Sequence, residues 1–257
     1  MPKILNLYKE IGETPLECLE RFRVGNPEYA GIKLSYLGRL DPMAEGVMIV
    51  AVGEENKKRE EYLGMDKVYE VDVLFGANTD TGDILGLVLG DLQTGAGQQQ
   101  EIRKDELEDV LKTFIGKRTQ KYPPYSSKTV DGKPLFAWAR EGKLAEIEMP
   151  EKEVEIYTIE IVEIGEMSKD AFWKLIQKRI ALVKGDFRQE EILEKWKLFL
   201  KGRENAFQTL KLRISAGSGT YMRILAKEIG DKLGMPAMAI GIKRLSVGEW
   251  KIEESIR

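Results

Sequence analysis

Residues 67–75, KVYEVDVLF, alternate between Tyr69, Val71, Val73 and Phe75 on one side and Glu70 and Asp72 on the other. A period of two is what a strand with one buried face requires, and a helix cannot satisfy it. EVEIYTIEIVEI at 153–164 and TLKLRIS at 209–215 give similar signals, with helical patterns lying between the strand candidates. Strands and helices mixed without a regular βαβ alternation predict an α+β fold with a central, mainly antiparallel sheet flanked by helices. A chain of 257 residues with 42% hydrophobic content has material for a full core.

Local signals place the other elements. ETPLECLERF (13–22) reads as a helix start, with Thr14 as N-cap, Pro15 in the first turn and Leu16, Leu19 and Phe22 on one face. Residues 169–203 read as a helical hairpin. Its first helix presents Phe172, Leu175, Ile176, Ile180 and Val183, and its second Ile192, Leu193, Trp196, Phe199 and Leu200. Gly185 breaks the pair, Asp186 and Gln189 occupy capping-box positions, and Gly202 stops the second helix. Between two strand candidates, the stretch from about 165 to 208 reads as an insertion. The tract QTGAGQQQ (93–100) reads as a surface loop, and no linker divides the chain, so a single domain over 1–257 is expected.

Composition removes whole classes of chemistry. There is no histidine, which takes away the commonest general base and every Ser-His or Cys-His nucleophile. Cys18 is the only cysteine, so no intramolecular disulfide or thiolate cluster can form, and neither a metal nor a cofactor is expected. The N-terminus lacks a signal-peptide pattern, and no apolar run approaches the roughly 18 residues that span a bilayer. A cytoplasmic protein without a membrane partner is expected, and a monomer. The net charge of −3 conceals an asymmetry: residues 117–143 carry +5 and residues 169–213 carry +6, leaving −14 elsewhere. Two basic segments on an acidic body suit either a localised polyanion surface or solvated helix faces. The basic hairpin faces are equally suited to an RNA contact, a dimer contact or plain extension.

Two charges stand in unusual places. Asp41 lies within LGRLDPMAEG (37–46), a glycine-bounded loop leading into the apolar run VMIVAV. Asp before Pro commonly starts a turn, which accounts for the residue without any chemistry. Near the C-terminus, TYMRILAKEIGDKLG reads as a helix with Thr220 as N-cap and Gly234 as its stop, placing Arg223 at the third helical position. A cation there faces the positive end of the macrodipole, disfavoured by up to about 1 kcal/mol. Either an anion, carboxylate or phosphate, lies nearby, or the side chain snorkels to solvent. The Gly217 and Gly219 turn matches neither a P-loop nor a dinucleotide fingerprint.

Taken in order, these stretches resemble the TruB-type tRNA pseudouridine synthases. LGRLDPMAEGVMIVAVGEENKK is similar to that family's G-x-L-D-P-x-A-x-G loop and following strand, and KVYEVDVLFGANTDTGDILG to its tyrosine strand and T-D-T loop. KYPPYSSKTVDGKPLFAWAREG resembles its flexible thumb, at about 117–150, and SGTYMRILAKEIGDKLGMPAMAIGIKRLSVGEW its arginine helix and final strand. The resemblance implies a pseudouridine synthase fold and isomerisation of a uridine in the T-loop of tRNA, position 55, with the T-arm as partner. It implies Asp41 as nucleophile, Arg223 as its cationic partner and Tyr69 stacked on the flipped base. Leu245 would wall the uracil pocket, and Lys9 and Lys67 match family positions. Tyr36 stands where the family usually has a substrate-ordering histidine. Lys121, Lys128, Lys133 and Arg140, interleaved with aromatic residues, suit phosphate contacts and base stacking. Many relatives carry a small C-terminal RNA-binding domain, which is not expected in this chain. Two other readings stand beside this one: modification of another structured RNA, and a non-catalytic RNA-binding or RNA-folding factor.

Overall fold

A computed structural model describes residues 1–90, 102–203 and 205–257. The tract at 93–100 lies outside the described residues. Strand β1 (Ile4–Lys9) is followed by α1 (Pro15–Gly25), the short β2 (Leu34–Tyr36) and β3 (Ala44–Val52). Helix α2 (Arg59–Leu63) leads into β4 (Lys67–Phe75), α3 (Lys104–Lys112) and β5 (Gly116–Lys121). A ribbon of β6 (Thr129–Val130) and β7 (Lys133–Pro134) precedes α4 (Leu135–Arg140) and the long β8 (Glu151–Met167). Helices α5 (Lys169–Leu182) and α6 (Gln189–Leu200) form the hairpin. Strand β9 (Phe207–Ala216), α7 (Met222–Lys232), β10 (Ala237–Val247) and β11 (Trp250–Lys251) complete the chain.

Nine strands form one sheet in the order β1-β3-β10-β4-β9-β8-β5, with β2 beside β3 and β11 beside β10. Every pairing is antiparallel except β3 with β10, so the sheet is the mainly antiparallel, mixed one that the alternation predicts. The period of two explains the layering. Val71, Val73 and Phe75 of β4 turn to one face, where Leu107 and Leu111 of α3 and Leu225 and Ile229 of α7 cover them. Leu74, Met238 and Ile240 turn to the other, covered by Phe172, Ile176, Ile180, Ile192 and Trp196 of the hairpin. The hairpin is therefore one wall of a helix–sheet–helix sandwich, not an appendage. No helix among the described residues is long and apolar enough to cross a membrane.

Helix α1 carries its expected cap: the Thr14 hydroxyl accepts from the Glu17 amide and the Glu17 carboxylate accepts from the Thr14 amide at 2.7 Å. Its buried stripe differs. Cys18, Leu19 and Phe22 face the core and Leu16 is 55% exposed, because the helix is rotated so that Cys18 takes the inner position. In the hairpin, the Asp186/Gln189 capping box does not form. Arg188, in the left-handed region at φ 62°, is the N-cap of α6, and the two expected capping side chains accept from Phe187 and Arg188 in the connecting turn.

Candidate functional site

The strand order brings distant segments together. The loop at 37–43 enters β3, whose start runs parallel to β10 with Ala44 beside Ile242 and Gly46 beside Arg244. On the other side of β10, Tyr69 of β4 lies opposite Arg244, and Lys67 lies opposite Ala216, the last residue of β9. Beyond β9 the chain turns through Ser218 to Tyr221 into α7. Asp41, Lys67, Tyr69, Ile242, Arg244 and the start of α7 consequently border one cleft of about 380 Å³.

Helix α7 begins at Met222, with Tyr221 as its N-cap, so Arg223 is the second helical residue and Thr220 does not cap. The Thr220 hydroxyl turns back to donate to the Gly217 carbonyl, and the Tyr221 amide is instead satisfied by Gln120. Arg223 is 3% exposed, and each of its three side-chain nitrogens donates a hydrogen bond. Its Nε donates to Asp41 Oδ2 at 2.7 Å, and Asp83 Oδ2 stands 3.6 Å away. Its other nitrogens donate to the carbonyls of Thr81 and Tyr125. Burial opposes the guanidinium's charge, but Asp41 and then Asp83 outweigh it and its pKa is raised. The anion that the helix position calls for is a pair of carboxylates.

The two carboxylates differ in environment. Asp83 is buried, accepts from the Thr81 hydroxyl at 2.7 Å and the Leu85 amide at 3.0 Å, and has its pKa raised by burial against the pull of Arg223. Asp41 keeps 37% of its side chain exposed toward the cleft. Its backbone also makes the turn: the Ala44 amide donates to the Asp41 carbonyl at 2.9 Å. Turn chemistry and side-chain pairing are both present in the same residue.

Buried cations hold this loop by its carbonyls. Arg244, 1% exposed, donates through Nε to Val47 at 2.7 Å and through its terminal nitrogens to Arg39 and Gly38 at 3.3 and 3.4 Å. Gly46, at φ +107°, lets the strands close this tightly, since a Cβ there would lie 2.2 Å from the Arg244 carbonyl oxygen. Lys9, fully buried, donates to the Ala44 carbonyl at 2.6 Å, and burial lowers its pKa to about 8. Arg244→Met is expected to cost on the order of 1–3 kcal/mol by leaving those carbonyls without donors. A melting temperature lowered by several degrees checks this, and one within a degree of the parent contradicts the clamp.

The expected site residues fall into distinct groups. Asp41, Tyr69, Lys67 and the neighbouring Arg223 are brought together. Tyr69 is buried against the core and also lines the cleft, so its packing and cleft-facing readings both hold. Lys9 is a correction: its ammonium is enclosed and reaches only backbone carbonyls. Leu245 is another: Ile242 and Arg244 line the cleft, and Leu245, at the bulge between Arg244 and Ser246, does not. Tyr36 packs behind β3 beside Leu34 and Met48 and does not line the cleft. Lys121, at the end of the edge strand β5, and Lys128, Lys133 and Arg140, on the segment that follows it, do not line the cleft. Lys128 stands over Tyr122, Lys133 pairs with Glu141 at 2.5 Å over Trp138, Lys121 is 4.0 Å from Glu151, and Arg140 donates to the Asp186 carbonyl. Asp83, Lys152, Arg244 and Tyr221 belong to the site without having been singled out. Tyr221 lines the cleft, and burial, then Asp41, pushes its hydroxyl up to about 12.

Residues 27–185 match the model of the TruB family pseudouridylate synthase N-terminal domain. The tRNA pseudouridine synthase B of Thermosipho melanesiensis is 32% identical over 257 residues, covering 100% of this chain and 67% of its own length. That of Thermotoga maritima is 30% identical, covering 98% and 65%. This chain thus spans about two thirds of the length of these relatives. A solved Cbf5–Nop10–Gar1 complex shares the fold, with a TM-score of 0.56 and 19% identity over 96% of this chain and 49% of that one. By its match to the family model and to these relatives, the chain belongs to the TruB family of pseudouridylate synthases.

Proposed function

We propose that this protein isomerises uridine to pseudouridine in the T-loop of tRNA, acting as a cytoplasmic monomer with Asp41 as the reacting carboxylate. One observation carries the reading: in a chain without histidine, a carboxylate facing a cleft is held at 2.7 Å by a buried guanidinium, with a tyrosine on the cleft wall. The reaction is balanced within the substrate. The bond from ribose C1′ to N1 breaks, uracil turns, a bond from C1′ to C5 forms, and the proton leaving C5 is replaced by one at N1. No net oxidation occurs. An ionised carboxylate can carry the sugar carbon during the turn, and the Arg223 guanidinium at 2.7 Å holds it in place.

A uridine stacked in a folded loop must be turned out, at a cost of a few kcal/mol that enclosure offsets. In this reading Tyr69 stacks on the base, Ile242 walls it, and the thumb at about 117–150 grips the RNA. Val-Asp-Gly-Lys at 130–133 turns the β6–β7 ribbon, with Asp131 and Gly132 both at positive φ. Incubating purified protein with unmodified tRNA transcripts and mapping pseudouridine at single-nucleotide resolution tests the proposal. One modified T-loop uridine supports it, and pseudouridine confined to other positions or absent overturns it.

The thumb lysines should not contribute equally. Lys133 already has a carboxylate partner, whereas Lys128 is exposed over an aromatic ring. Lys128→Ala is expected to reduce the slope of log affinity against log salt by roughly 0.7–0.9, and Lys133→Ala by less. Titrations at several salt concentrations check the order.

A further inference from the structure

Two lysines that line the same cleft as Asp41 have no role in the reaction described so far. Lys67 opens β4, is 6% exposed, and donates through Nζ to the carbonyls of Leu63, at 3.1 Å, and Met65. Lys152 reaches across from β8, and its Nζ donates to the Ser218 carbonyl at 3.0 Å. Ser218 in turn donates through its hydroxyl to the Leu63 carbonyl at 2.6 Å, so one short network joins both ammonium groups. Gly219, at φ +83°, makes the space: a Cβ there would lie 1.8 Å from Lys152 Nζ.

An ammonium has three donors. Lys67 spends two on carbonyls and Lys152 one, leaving one and two for whatever enters the cleft that both line. Neither has a carboxylate within ion-pair distance among the described residues, although Asp66 lies close enough to Lys67 to be felt. Burial lowers the pKa of Lys67 to about 8, with Arg244 and Lys152 adding to the shift, and burial lowers that of Lys152 as well. Two partly desolvated cations pressed together disfavour one another until an anion arrives.

We infer that Lys67 and Lys152 form a phosphate-binding subsite, which takes a phosphodiester flanking the nucleotide held between Asp41 and Tyr69. The inference rests on the RNA-modifying reading above. It follows from where the charges lie: an anion bound in the one cleft that also takes the base is that nucleotide's own backbone. Two charge-assisted donors converging on one phosphate hold the sugar in place while the uracil is free to turn, a division of labour that the isomerisation needs.

The test is a cycle between enzyme and substrate. T-arm stem-loops are made with a neutral methylphosphonate at the linkage 5′ or 3′ of the target uridine, one at a time. Their affinities for the parent and for Lys152→Met and Lys152→Gln are measured by titration. One of the two neutral linkages is expected to weaken binding to the parent by about tenfold or more, the worth of a charge-assisted hydrogen bond. Each Lys152 variant should lose a similar factor on the unmodified stem-loop and lose little more on the neutral one. Losses that multiply, or a parent indifferent to both linkages, overturn the subsite. Binding is read whether or not pseudouridine forms. An intact cycle without product therefore defeats the catalytic reading alone, and product with multiplying losses defeats the subsite alone.

Discussion

Replacing Asp41 with asparagine is expected to lower pseudouridine formation by on the order of 10⁴-fold or more while leaving affinity for T-arm RNA within a few fold. An amide is nearly isosteric but cannot bond to the sugar carbon, and loss of a nucleophile is not rescued by its neighbours. Arg223 keeps Asp83 at 3.6 Å and its two carbonyl acceptors, so the helix start need not rearrange. Removing a negative charge from a cleft that receives a polyanion does not weaken encounter. Single-turnover assays beside binding titrations make the check. Affinity that collapses with activity would assign Asp41 to substrate binding, and activity retained within tenfold would remove it from the chemistry.

The second large effect belongs to Arg223. Arg223→Met is expected to abolish turnover and also to destabilise the fold by about 3–5 kcal/mol at neutral pH, because Asp83 is left buried without its cation. In a chain of this size that is a fall in Tm on the order of 10 °C. The sign with pH follows from Asp83, whose pKa is already raised and rises further without the guanidinium. An acid that binds its proton more tightly when folded loses stability as pH increases, so the deficit should be smaller at pH 5 than at pH 8. Adding Asp83→Asn to Arg223→Met is expected to restore most of the melting temperature and none of the activity. Recovery of activity in the double variant would mean that Arg223 serves the fold alone. An unchanged Tm in the single variant would mean that water reaches Asp83.

The strands were legible because of their alternation: 67–75 in particular buries Tyr69, Val71, Val73 and Phe75 on one face and sets Glu70 and Asp72 on the other, where only Leu74 at its end is fully buried. The hairpin was legible as helices but not as a layer, since a helix's own sequence does not say which sheet face lacks cover. Asp41 and Arg223 were visible as separate anomalies, one charge beside a core strand and one against a helix dipole. Asp83 was not, because an Asp between Gly82 and Ile84 in a threonine-rich loop reads as a turn residue until its partner is located. Its signal was available only through Arg223, which needs more negative charge than one half-exposed carboxylate. Arg244 was overlooked in favour of Leu245 for a related reason. In KRLSV the leucine is the residue a strand would bury, yet the parity set by Ile242 and Val247 is interrupted by a bulge between Arg244 and Ser246. The arginine takes the inward place, and carbonyl oxygens stand in for the missing carboxylate. Capping at Thr220 and at Asp186/Gln189 failed because the helices start later than expected, with Tyr221 and a left-handed Arg188 in the N-cap places.

Tyr125 is gripped at both ends. Its carbonyl accepts from Arg223, and its hydroxyl bonds to Asp80 at 3.0 Å, which is itself paired at 2.7 Å with Arg188 from the turn between α5 and α6. Among the described residues, an exposed hydrogen bond from Arg140 to the Asp186 carbonyl ties α4 to that turn. Under the proposed RNA-modifying reading, a displacement of this arm is therefore felt first at Tyr125, whose carbonyl shares the Arg223 guanidinium with Asp41.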